Sequence, residues 1–200
     1  MWVDGWPEPN EWNQLLESGN KRLARPLIEQ AARQRFPDAM FLMPGIDRAN
    51  ASQWRQFALA NSDAKLRVNF VTLYFRWPSW SDHWLEEINV FFANREEALY
   101  YLEEAMAEMI SDGSVTARYC ERAGGIWATV KTMEGIDRCI YYWEKARSLH
   151  RQDDNDGAAK TAEAFVSNFK EEKRLAQTYG DAYWRLEHRI ANQVAKMQGR

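Results

Sequence analysis

Cysteine, histidine, late proline and basic charge are all scarce in this chain. Cys120 and Cys139 are the only cysteines in 200 residues. Two thiols without metal-ligand spacing make neither a disulfide framework nor a zinc site, and the expectation is two reduced cysteines in an intracellular compartment. The three histidines, His83, His150 and His188, stand far apart in sequence. No HExxH, GxSxG or GxxxxGKS/T motif occurs. These gaps leave no transition-metal site, no catalytic signature and no cofactor to expect.

Charge is also informative by what it lacks. The formal net charge is −3, and the two halves of the chain contribute −2 and −1. A protein that grips nucleic acid through phosphates needs a basic surplus, so the balance argues against that class. No apolar run approaches the roughly 18 residues that span a bilayer. The first residues, MWVDGWPEPNEW, carry Asp4, Glu8 and Glu11 and no early lysine or arginine, which is the wrong pattern for a signal peptide. The expectation is a cytoplasmic protein without membrane contact.

All six prolines lie at or before Pro78. Proline breaks helix interiors, so an irregular front and a regular back are expected. In the front, Asn50 caps a helix carrying Trp54, Phe57 and Ala58, and Pro26 suits the first turn of another. Further on, Asn94 with Glu97 makes a capping pair, followed by an apolar stripe of Ala98, Leu102, Ala105, Met106 and Met109.

KLRVNFVTLYFRW, residues 65–77, has β-branched and aromatic residues on both alternating faces and reads as a central strand. Residues 114–131 read as strand, turn, strand, with Gly124-Gly125 supplying the turn. Residues 133–151 and about 158–196 then carry helical seams, coiled-coil-like in the first. The expected fold is therefore α+β and helix-rich. A small antiparallel sheet, with strands near 66–77, 114–120 and 126–131, packs with helices and is followed by a long C-terminal antiparallel helical hairpin. The expected division is a globular body over 1–131 and a projecting hairpin over 132–200, within one folding unit.

What the chain has in excess is tryptophan, ten in all. Tryptophan concentrates in cores and at interface hot spots. In RWPSWSDHW, residues 76–84, Trp77 closes a strand face, while Trp80 and Trp84 share a helical stripe with Leu85 and Ile88. Asp82 and His83 are adjacent on that helix and point in different directions, so they make a poor acid–base pair. Trp2, Trp6 and Trp12 sit in a segment with little secondary structure of its own and must pack on the body or on a partner.

Three further patterns bear on function. ALYYLEEA (98–105) and CIYYWEKA (139–146) match at four of eight positions, 41 residues apart. Two copies with strands between them make no solenoid, and they read as two amphipathic helices of like design. The loop from Gln152 to Glu163 places Asp154, Asp156 and Glu163 at calcium-loop positions three, five and twelve. Gln152 stands where such a loop wants aspartate, and a polar turn selects the same residues. Residues 81–131, with Arg118 and Arg122 in the strand pair, follow the order of a winged helix. The helix before that wing carries Glu96, Glu97, Glu103, Glu104 and Glu108, which phosphates would repel.

These observations favour a non-catalytic interaction or scaffolding protein, such as a toxin-neutralising immunity protein or a virion or assembly component. Its expected partner-binding residues are Trp2, Trp6, Trp12, Arg118, Arg122, Tyr179 and Tyr183. Its partner would be another protein with a basic surface, or a second copy joined through the C-terminal helices. The alternatives are a nucleic-acid binder with a winged-helix-like segment and an enzyme built on dispersed aspartates and glutamates.

Overall fold

The computed structural model describes residues 14–15, 18–75, 90–180 and 182–186, and every regular element among them is a helix. Eight α-helices follow in order: α1 (Lys21–Arg33), α2 (Pro37–Ile46), α3 (Ala51–Ala60), α4 (Ala64–Phe75), α5 (Arg95–Ser111), α6 (Ala117–Trp127), α7 (Met133–Gln152) and α8 (Asp156–Tyr179). A 3-10 turn, Arg48–Asn50, joins α2 to α3. The chain divides into two compact units, Met1–Ser114 and Val115–Arg200.

The expected sheet is therefore corrected to helix, and the α+β assignment to all-α. Residues 66–75 lie in α4, where the six consecutive residues from Val68 to Leu73 are all buried. A short segment surrounded by core shows apolar residues on every face, and that pattern does not distinguish a buried helix from a central strand. Burial then overrides the strand preference of its valines and aromatics. The start of α4 carries a cap, since Asp63 Oδ1 accepts the Leu66 N–H at 2.7 Å. The Thr72 hydroxyl satisfies itself within the helix by donating to the Val68 carbonyl at 2.7 Å.

The second and third expected strands, near 114–120 and 126–131, are replaced by α6 and the turn after it. Gly124 and Gly125 lie inside that helix, neither in a positive-φ conformation. The strand pair that a wing requires is thus a helix, and the winged-helix order fails. Gly124 serves a close approach instead. A Cβ there would lie 2.7 Å from Nε1 and 2.8 Å from Cδ1 of the Trp143 ring. That ring in turn stacks on Phe165 of α8, with centroids 4.2 Å apart and planes at 16°.

In the first unit, α2 is buried from Asp38 to Gly45 and forms its centre. Phe41 of α2 stacks on Phe70 of α4 at 5.4 Å and on Phe91 at 4.6 Å. Phe91 and Phe92 are buried in a bend before α5 rather than in a helix. The start of α5 is as expected: Asn94 Oδ1 accepts the Glu97 N–H at 2.8 Å, and Glu97 Oε2 accepts the Ala93 N–H at 2.5 Å. The full expected stripe of α5, from Ala98 to Met109, is buried. Pro26 and Pro44 lie inside α1 and α2, so the front of the described chain is more regular than its prolines suggest.

In the second unit α7 packs against both α6 and α8. The expected helical hairpin is present as α7 and α8. Its direction is written in charge: Asp137 and Glu144 of α7 pair with Lys173 and Lys170 of α8 at 2.6 and 2.7 Å. Further along, Arg147 and Arg151 meet Glu163 at 3.5 and 3.3 Å. Acid precedes base along α7 at these positions, and acid again precedes base along α8. Only an antiparallel alignment brings unlike charges together at both ends. α8 ends at Tyr179, Gly180 follows with φ 53°, and residues 182–186 are helical again, so the helical seam expected over about 158–196 is split at Gly180, with residues 187–196 outside the described residues.

Both cysteines are buried between helices. Burial pushes the Cys120 thiol up to about 11 and the Cys139 thiol up to about 12, and Cys139 Sγ donates to the Gly124 carbonyl at 3.3 Å. Neither is a thiolate near neutral pH, so neither is a nucleophile as it stands. Both should stay unreactive toward Ellman's reagent in the native protein and react together on unfolding in urea. Rapid labelling of either in the native state would contradict this packing.

Candidate functional site

The expected site residues divide sharply. Trp2, Trp6 and Trp12 lie outside the described residues, as do His83, His188 and most of RWPSWSDHW's helix. Arg118 and Arg122 stand one turn apart on α6, and the Arg122 guanidinium lies 5.5 Å from the centre of the Tyr119 ring. Tyr179 is the last residue of α8 and 60% exposed. Tyr183 is half-buried, with its ring 5.1 Å from that of Trp184.

The calcium-loop residues are used otherwise. Asn155, not Asp156, caps α8, its Oδ1 accepting the Ala158 N–H at 3.2 Å. Glu163 turns to Arg147 and Arg151, so the carboxylate that would close the loop on a cation is held by two guanidiniums. Among the described residues no group of three or more histidine, cysteine, aspartate or glutamate side chains is placed to hold a metal ion. His150 does have a carboxylate partner, on α6. Its Nε2 lies 2.8 Å from Glu121 Oε1, so the pair ties α7 to α6.

Two buried aspartates mark the ends of α2. At the C-terminal end, Asp47 Oδ2 accepts from Asn50 Nδ2 at 3.0 Å and from Trp54 Nε1 at 3.1 Å, while Oδ1 meets Arg25 at 3.0 Å. The Asn50 amide first, then the Trp54 indole and Arg25, hold its carboxyl below the ordinary aspartate range against the opposing effect of burial. A carboxylate this occupied joins α1, the 3-10 turn and α3, and has little acceptor capacity left for a substrate. At the other end, Asp38 Oδ1 is buried with no hydrogen-bond partner. Burial pushes that carboxyl up to about 7, with its own backbone N–H only partly offsetting. Unlike pKa shifts on two carboxyls can mark an acid–base pair. Here nine residues of helix separate them, about 13 Å at the α-helical rise, too far to share a reacting atom.

Exposed aromatic surface offers more. Tyr100 is 62% exposed on α5 and Tyr141 46% exposed on α7. They occupy the same place in the repeated segments ALYYLEEA and CIYYWEKA, and burial follows the repeat as well. Ala98, Leu102 and Ala105 are buried in the first, and Cys139, Trp143 and Ala146 in the second. In both, the exposed ring meets the next tyrosine edge-on, at 5.5 and 5.0 Å. The sequence held this signal; only the exposure of the first tyrosine of each pair was missing from it. Sequence reasoning missed the Asp47 cluster altogether, although Asp47, Asn50 and Trp54 fall at helical spacing.

The last exposed group lies at the end of α8. The Asp137–Lys173 pair sets the alignment of α7 and α8, and counting from it places the start of α7, Met133, beside residue 177. Apolar side chains continue beyond that point, Tyr179 as the last residue of α8 and Leu186 in the helical residues 182–186 after Gly180. Tyr179 is 60% and Leu186 57% exposed, beyond the last residue that α7 can face.

No protein-family model matches the chain, and neither the curated proteins nor the solved structures include a match to it.

Proposed function

We propose that this chain is a non-catalytic, cytoplasmic protein–protein interaction or scaffolding protein. The observation that carries the reading is exposed apolar surface beyond the reach of α7: Tyr179 at the end of α8 and Leu186 after Gly180 are both more than half exposed. A large aromatic held at the end of a helix offers area at small entropic cost, as interface anchors do. Asp47 and both cysteines support the same reading, because each is committed to packing: Asp47 to three partners, and both cysteines to helix interfaces. Among the described residues no helix is long and apolar enough to cross a membrane.

Purification from its natural host, followed by light scattering, tests the reading. The expected particle is heavier than the 23.5 kDa of one chain, through a second copy or a different protein held at fixed stoichiometry. A 23.5 kDa monomer that carries no other chain at physiological concentration would contradict it.

A further inference from the structure

We infer that the outer face of α1 docks the acidic, tryptophan-bearing residues 1–13 of the same chain. The sequence sets two blocks of opposite charge end to end. Residues 1–20 carry Asp4, Glu8, Glu11 and Glu17 and no lysine or arginine. Residues 21–35 carry five lysines and arginines against a single acid, Glu29. α1 lies in the second block and turns small or aliphatic residues inward, with Ala24, Ile28 and Ala32 fully buried. Arg22, Arg25 and Arg33 are left exposed.

That outer face is apolar as well as basic. Leu23 is 60% exposed, Pro26 beside it is exposed, and Phe36 is 38% exposed just past the helix end. Arg25 is held by Asp47 at 3.0 Å and Arg33 by Glu29 at 2.7 Å. Arg22, at the start of α1, and Arg35, just past its end, are exposed and make no ion pair among the described residues. Arg33 lies over the Trp54 ring at 5.2 Å, so an arginine of this helix already takes an indole face. Two unpaired guanidiniums around exposed apolar surface select carboxylates and aromatic rings together. Residues 1–13 supply both, with Asp4, Glu8 and Glu11 set among Trp2, Trp6 and Trp12. They also start in the right place. The Asn20 N–H donates to the Leu15 carbonyl at 2.8 Å around Gly19, whose φ is 78°, which ties the first described residues to the start of α1. From there, residues 1–13 at half their extended reach cover about 21 Å, which matches the roughly 20 Å length of α1. The short tether holds the segment at an effective concentration on the order of millimolar, which a separate partner would have to match by affinity.

Both native cysteines are buried, so a Val3→Cys variant of the full-length protein takes a nitroxide label at position 3. The readout is the paramagnetic relaxation of backbone amides along α1 by NMR, with the chemically reduced label as reference. Enhancement is expected over the whole outer face, from Leu23 to Phe36. It should fall several-fold at residues 33–36 when Asp4→Lys, Glu8→Lys and Glu11→Lys are added, through like-charge repulsion. Adding Arg22→Glu and Arg35→Glu to that variant should restore it, which damage to the fold would not do. Enhancement confined to the start of α1, where the tether alone carries the label, would overturn the inference. So would enhancement that charge reversal leaves unchanged, or that the reversed arginines fail to restore. Enhancement that reaches an isotope-labelled chain only from a spin-labelled second copy would overturn it too, because the segment would then dock between molecules. None of these variants touches Tyr179 or Leu186, so the interaction reading stands or falls separately.

Discussion

Asp38→Asn should make the protein more stable at about pH 8 and leave it nearly unchanged at about pH 4, an inversion of the usual cost of altering a buried residue. The unfolded carboxyl titrates near 3.8 and the folded one near 7. Between those values the folded chain holds a proton that the unfolded chain has released. Stability is thus fully present below the lower value, falls as pH rises through the window, and levels off above the upper one. A shift of this size corresponds to a loss of the order of 4 kcal/mol by about pH 7. Asparagine keeps the shape and never ionises, so urea unfolding followed by circular dichroism should show a flat profile for the variant across the window. Asp47 works on the other side: its folded value is lowered, so its contribution is present above the ordinary aspartate value and lost only as pH falls below it. The two aspartates therefore act in separate windows, and the difference between wild type and variant isolates Asp38. A variant that loses stability equally at both pH values would show that Asp38 is ionised in the fold.

Two adjacent glycines should respond to alanine with opposite signs. At Gly124 the new methyl would stand 2.7 Å from the Trp143 indole nitrogen, and the ring that must yield is stacked on Phe165 of α8. The Trp143 N–H is buried without an acceptor, so the ring gains no hydrogen bond by staying. Overpacking of this kind costs about 1–3 kcal/mol, partly offset by about 1 kcal/mol of helix propensity. At Gly125 nothing lies within 4 Å of the added atom, so only the propensity acts and alanine should stabilise by up to about 1 kcal/mol. Thermal melting of the two variants tests this. Destabilisation by both would be the mark of a glycine turn in a strand hairpin, the arrangement that the structure replaces with α6.

That pair of residues also shows where the sequence was legible. Gly-Gly reads as a turn because glycine's freedom is a property of one residue. Its use here is to let a tryptophan nineteen positions later approach, and a long-range contact leaves no local trace. The strand reading of 66–77 failed for a related reason: full burial erases the periodicity that separates helix from strand, and only the Asp63 cap spoke for α4. Half-buried helices were legible. The α5 stripe and its Asn94–Glu97 cap, and the seam of the hairpin, follow from spacing that one solvent-facing side preserves. At the surface, composition pointed to exposed aromatics and acidic charge without telling which tyrosine is exposed. ALYYLEEA and CIYYWEKA looked like two helices of similar design, and their shared burial pattern became visible only with both partners of α7 in place.

The central claim is that function resides on exposed helix faces rather than in an internal site. Its most direct test is to purify wild type and a Tyr179→Ser/Leu186→Ser variant from the natural host and compare their masses and melting temperatures. The account predicts that the wild type carries its partner, and that the variant melts at nearly the same temperature yet emerges as a single 23.5 kDa chain. A variant that retains the partner at wild-type stoichiometry would contradict it.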